Sequence, residues 1–142
     1  MKTLVVKLLF PLLFLSLFGC APVSDFNQVA LDQSLSIKTD ALNLISNANE
    51  NYLDHQSEID SLKLNVENAY QYSKTIPNNK ETISQWEIIM DPNRSSLFGL
   101  LERWKNKTTL SDSFISEVKI LIASDFNTII DFENNKRKPL NN

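Results

Sequence analysis

The 142-residue chain is predicted to be an all-α protein, a small helical bundle. Three observations predict it. Only two glycines occur, Gly19 and Gly99, and the prolines at 11, 22, 77, 92 and 139 are far apart, which suits helices and suits a turn-rich β fold badly. Residues 23–76 hold neither type. Within that stretch Ala41, Ile45, Ala48, Tyr52, His55, Ile59, Leu62, Val66 and Ala69 alternate at spacings of four and three, and all but His55 are apolar. Such spacing marks one face of a helix.

The first element follows from that seam. Leu31, Leu35, Leu42 and Ile45 extend it backward, and Asn, Asp, Glu, Lys and Ser fill the positions between. An amphipathic helix over about 24–75 is expected, ended by the bias against helix at Ile76 before Pro77. At 1.5 Å per residue it would be about 78 Å long. The unbroken seam favours one continuous helix, and 47–54 is where a bend or break would fall.

Two short helices come next. Thr82 and Gln85 fit a capping box ahead of the Ile83, Trp86 and Ile89 face, giving a helix over about 83–90 that stops at Asp91-Pro92. Ser95 or Ser96 can cap another over about 96–105, with Leu97, Leu100, Leu101 and Trp104 as its stripe. The polar run Lys105 to Thr109 reads as a loop. Ser111 then caps a long helix over about 112–137, whose broad apolar face is Phe114, Ile115, Val118, Leu121, Ile122, Phe126, Ile129 and Ile130. Lys136, Arg137 and Lys138 suit its negative end, and Pro139 terminates it.

The N-terminus has another character. Residues 4–18 read LVVKLLFPLLFLSLF, with Lys2 and Lys7 ahead of and inside the apolar run. Leu8 to Phe18 is too short to span a bilayer, which takes about 20 residues, and Pro11 interrupts it. A basic start, an apolar core and a small residue before the break describe a secretory signal segment. It ends at Leu17-Phe18-Gly19-Cys20, which holds the single cysteine of the chain.

These four residues resemble the lipobox of bacterial lipoproteins. The resemblance covers about the first 22 residues. It implies that the Cys20 thiol carries a diacylglyceryl group, that cleavage falls after Gly19, and that the freed amine is acylated by a chain such as palmitate. Leu17 is the usual apolar residue three places before the cysteine, whereas Phe18 stands where the family prefers a small side chain. Several acyl chains would hold the protein to a membrane essentially permanently. Ala21 and Pro22 follow in place of the Asp that in this family retains proteins at the inner membrane, so the outer membrane of a Gram-negative host is expected, with the body in the periplasm.

The expected organisation is a signal peptide over 1–19, a lipid anchor and linker over 20–24, a helical domain over 25–138 and a tail over 139–142. Cleavage would leave 123 residues. Of the 14 basic residues Lys2 and Lys7 depart, leaving 12 against 17 acidic ones, near −5. That balance disfavours nucleic acid as a partner. An acylated Cys20 leaves no disulfide, so the body must hold by packing.

The inventory for catalysis is thin. A Ser or Cys nucleophile needs a base, and the one histidine, His55, sits on the seam. His55 and Glu58 at i, i+3 make half a metal site, with no second His to complete a zinc set. Asp125, Asp131 and Glu133 recur on the last helix, where solvated faces carry acids routinely. One glycine in the body rules out a Gly-rich phosphate loop. The expectation is a non-catalytic body without cofactor or metal, which binds or braces a protein partner or pairs with itself. Trp86, Trp104, Tyr52 and His55 are the candidate surface for that partner, or for a small ligand held beside the two tryptophans.

Overall fold

A computed structural model describes residues 23–137. Five α-helices make up its body: α1 Gln28–Ile45, α2 Gln56–Thr75, α3 Lys80–Met90, α4 Leu97–Lys107 and α5 Asp112–Asn135. A 3-10 turn, Tyr52–His55, stands between α1 and α2. The signal segment, Cys20, Lys138 and the 139–142 tail lie outside the described residues.

The helices form four antiparallel columns around one core. α1 packs most extensively against α5 and α2, α2 against α3, and α3 against α5. The third column is α3 continued by α4 after a kinked connection at Asp91–Ser96. One end of the bundle gathers residues 23–27, 76–80 and 136–137, where Ser24 N donates to Asn78 O at 3.1 Å. This is the terminal end. The other gathers residues 46–55 and 108–111, where Tyr52 N donates to Thr108 O at 2.9 Å and Leu110 N to Ala48 O at 2.8 Å. This is the turn end. Among the described residues no helix is long and apolar enough to cross a membrane.

The continuous helix expected over 24–75 is not formed. α1 stops at Ile45, and the chain reverses through residues 46–55 before α2 begins. Asn47, Asn49 and Asn51 are poor helix formers whose side chains compete for backbone groups. Asn51 does so here, accepting from Leu53 N at 3.0 Å and starting the 3-10 turn. Burial gives the larger reason. Folded back, both halves of the seam enter one core: Ala41, Ile45, Ala48, Ile59 and Val66 are fully buried, with Tyr52, Leu62 and Ala69 nearly so. A straight helix would leave much of that seam as an exposed apolar strip. Leu35, by contrast, is 44% exposed, so the stripe of α1 runs through Ala30, Ser34, Ile37 and Ala41 instead.

Helix ends follow local chemistry in part. Asn27 caps α1, its Oδ1 accepting from Ala30 N at 3.0 Å. Ser111 caps α5 as expected, accepting from Phe114 N. The Thr82–Gln85 capping box does not form. α3 begins three residues earlier, after Asn79, and Thr82 is buried inside it. α4 runs to Lys107, so Lys105 to Lys107 are helical and not loop. Ser96 precedes α4, but its hydroxyl donates to Asp91 O at 3.0 Å, bracing the connection rather than capping the helix.

Candidate functional site

The structure brings together three of the four side chains singled out in the sequence. Tyr52 and His55 come from the 3-10 turn and Trp104 from the last turn of α4, so they meet at the turn end. The Tyr52 and His55 rings each stand 5.5 Å from that of Trp104, Tyr52 edge-on and His55 tilted. Trp104 Nε1 donates to Glu50 O at 3.0 Å, so its one polar atom holds the reversing chain. Trp104 is fully buried and Tyr52 is 3% exposed. Burial pushes the Tyr52 phenol upward, as do the Glu102 and Asp60 carboxylates.

His55 lies at the edge of this cluster, its side chain 12% exposed. Nδ1 meets Glu58 Oε2 at 2.8 Å and Nε2 meets Glu50 Oε2 at 2.9 Å. A carboxylate at each nitrogen favours the imidazolium form, in which both nitrogens donate. The hydrogen bond to Glu58, then that to Glu50, raises the pKa of the ring. Held between two carboxylates, the ring is engaged at both nitrogens. Its task here is to tie α2 to the 46–51 chain. Among the described residues no three His, Cys, Asp or Glu side chains converge as a metal would need.

Trp86 is elsewhere. It sits in the middle of the bundle, 1% exposed, edge-on to Phe126 at 6.0 Å. The two tryptophans therefore do not share a site, and neither they nor Tyr52 present a surface. Each such aromatic side chain supplies core area on the scale of 150–250 Å², roughly, and its removal would be felt as lost packing.

A polar cluster at the terminal end was not foreseen. Glu133 is fully buried and the Lys136 side chain is 2% exposed, and they pair at 2.6 Å. Thr82 Oγ1 donates to Glu133 Oε1 at 2.6 Å, and Lys136 Nζ donates to Asn79 Oδ1 at 2.7 Å. Ser24 Oγ donates to the same Asn79 oxygen at 2.9 Å, and Asn79 Nδ2 donates to Ser73 O at 3.0 Å. The cluster thus joins the N-terminal segment, α2, α3 and α5. Glu133 and Lys136, read in the sequence as a solvated acid and a helix-end charge, are core residues. The signal was present: Ile115, Val118, Ile122, Phe126 and Ile129 continue at the same period to Glu133 and Lys136.

Among the described residues, four concavities lie away from the tryptophans. A groove of about 380 Å³ runs between α1 and α2, with Asp40, Asn43, Ser57 and Glu58 among its lining. A second, about 230 Å³, opens between the Pro92–Ser95 connection, α4 and α5, over Leu100, Phe114, Val118 and Ile122. Arg103 covers one side of it, 4.1 Å from the Phe114 ring centroid. Leu53 at the turn end is 73% exposed and Leu64, about two turns into α2, is 58% exposed, and both line a shallow concavity with Asp54 and Asp60.

No family model, no curated protein and no solved structure matches the chain.

Proposed function

We propose that the chain is a lipid-anchored protein of the bacterial cell envelope whose helical, non-catalytic body binds or braces a protein partner. The observation that carries the reading is Leu17-Phe18-Gly19-Cys20 at the end of a basic-then-apolar leader. Ala21-Pro22 after the cysteine supports the outer membrane over the inner in a Gram-negative host. For the body, support comes from the way its reactive groups are spent: the lone His55 is held at both nitrogens, and Glu133 is closed in a buried pair.

The fold-back of the seam removes one argument for a partner, because the strip that would have needed covering is covered within the chain. What supports a partner now is the start of α2 and the turn before it, where exposed Leu53 and Leu64 line a concavity with Asp54 and Asp60. Trp104 and Tyr52 would act there only by holding the backbone in place, and Trp86, in the middle of the bundle, has no part in it. A ligand carrier with a pocket beside the tryptophans has no observation in its favour, since both rings are packed.

Metabolic labelling with a fatty-acid probe tests the anchor. The wild-type protein takes up the probe, and Cys20→Ser does not and stays uncut or soluble. Equal labelling of the two removes the proposal.

A further inference from the structure

Helix α4 makes its closest backbone contacts with α3 and with the 3-10 turn, not with α5. Two adjoining concavities lie along the α4–α5 seam. The first, about 230 Å³, is floored by Leu100, Val118 and Ile122, and Leu121, 51% exposed, lies at its edge. The second, about 440 Å³, lies nearer the turn end and is polar, with Lys107, Thr109, Ser111, Ser113 and Glu117 in its lining. Arg103 and Phe114 line both, so the two meet at the stack of that guanidinium on that ring. Together they fall in the range of small-molecule sites, roughly 300–1,000 Å³. An apolar half that continues into a polar half suits an amphiphile.

The charges give the sign of its head. Three cations line the two concavities, Arg94, Arg103 and Lys107, against one acid, Glu117. Arg94 is spent on Asp91, Nε to Oδ2 at 3.2 Å. Among the described residues neither Arg103 nor Lys107 has a carboxylate partner, and Glu117 pairs with neither. Of the neighbouring acids, Glu102 is paired with Lys63, Asp112 accepts from Asn49 Nδ2 at 3.1 Å, and Asp125 stands a turn beyond Leu121; none of them lines either concavity. With Arg94 offset by Asp91, one net positive charge remains, which matches a head with one negative charge. Arg103 and Lys107 are four residues apart on α4 and so share a face. A guanidinium lying over a ring spends its face there and keeps its in-plane N–H donors for a carboxylate.

We propose that the α4–α5 seam binds a short-chain fatty-acid anion, its alkyl chain over Leu100, Val118, Leu121 and Ile122 and its carboxylate between Arg103 and Lys107. The site goes beyond the anchoring proposal and does not depend on it. Chains attached to an acylated Cys20 would be esters or an amide with no free carboxylate, so they are not the ligand that these charges call for.

The test uses the full lipidated protein in phosphatidylcholine nanodiscs, with octanoic acid bearing a diazirine at its chain end as the probe. Photolysis and peptide mapping are expected to place the label on α4 and the first half of α5. Excess octanoate should remove most of that label and octanol should not, a comparison that needs no variant. Arg103→Gln/Lys107→Gln, at two exposed positions, should cut the labelling several-fold, whereas Lys105→Gln, on another face of α4, should leave it unchanged. Label spread evenly along the chain, octanol competing as well as octanoate, undiminished labelling of the double variant, or an equal loss in Lys105→Gln overturns the proposal.

Discussion

At Gly99 the first turn of α4 passes so close to the Asp91–Ser96 connection that a Cβ would run into the Arg94 carbonyl oxygen and lie 3.2 Å from that of Pro92. Both obstacles are backbone, which cannot swing aside as a flexible side chain can. Gly99→Ala should therefore destabilise the protein by about 2 kcal/mol, against the gain that Ala normally brings to a helix. Urea unfolding of the acyl-free domain measures it, and a variant as stable as wild type would show that the connection has slack. The other single residue with a distinct signature is His55. Its carboxylate partners raise its folded-state pKa above the ordinary 6.5. A raised pKa means the stabilisation is complete below about 6.5 and is lost as the pH rises through the folded-state value. Glu50 and Glu58 are themselves exposed, so solvent and salt keep the effect small. Wild type should lose stability relative to His55→Gln as the pH rises above about 6.5, and a difference independent of pH would mean the ring is not charged in the fold.

Between helices, the Glu133–Lys136 pair is the contact most open to test. It is closed off from water and fastens the end of α5 to the start of α3. Glu133→Gln would leave the Lys136 ammonium buried without a counter-charge, a loss of about 3–5 kcal/mol. Replacing both, as Glu133→Leu/Lys136→Met, should cost less than that single change, because no buried charge remains. Chemical denaturation of the two variants decides it: a double variant worse than the single would show that the pair stabilises by more than mutual neutralisation. The same helix shows why the sequence was read correctly for most of the apolar stripe, Leu121 at 51% exposure being the exception, and incorrectly for its end. Period predicts which positions face inward whatever residue stands there. Glu133 and Lys136 fall on the inward period of α5, and residue type overrode position in reading one as a solvated acid and the other as a helix-end charge. The opposite error was made at 46–55. Ala48 and Tyr52 are buried within the reversal itself, so the spacing of four and three passes through non-helical residues without a gap. Apolar period reports burial, not continuity of a helix. The local signal for the break was the run Asn47-Ala48-Asn49-Glu50-Asn51, and the contacts that fix it come from Trp104, Thr108 and Leu110, more than fifty residues on.

Over the whole molecule, the all-helical class, the two short helices and the long last helix were legible from glycine and proline placement and from apolar spacing. The site was less so. Trp86, Trp104 and Tyr52 were noticed because they are large and rare, and size is also why the core takes them. Only His55 among the four retains some exposure. The bundle that results is a self-sufficient body with both ends of the described chain at one pole. The proposed anchoring rests on Cys20, in the sequence before Ser24. The intact mass of the protein extracted from its own membranes tests this most directly. The account predicts loss of residues 1–19 and a mass gain at Cys20 equal to a diacylglyceryl group with or without one amide-linked acyl chain. A membrane-extracted chain that keeps its leader, or begins elsewhere, with an unmodified Cys20 thiol would contradict it.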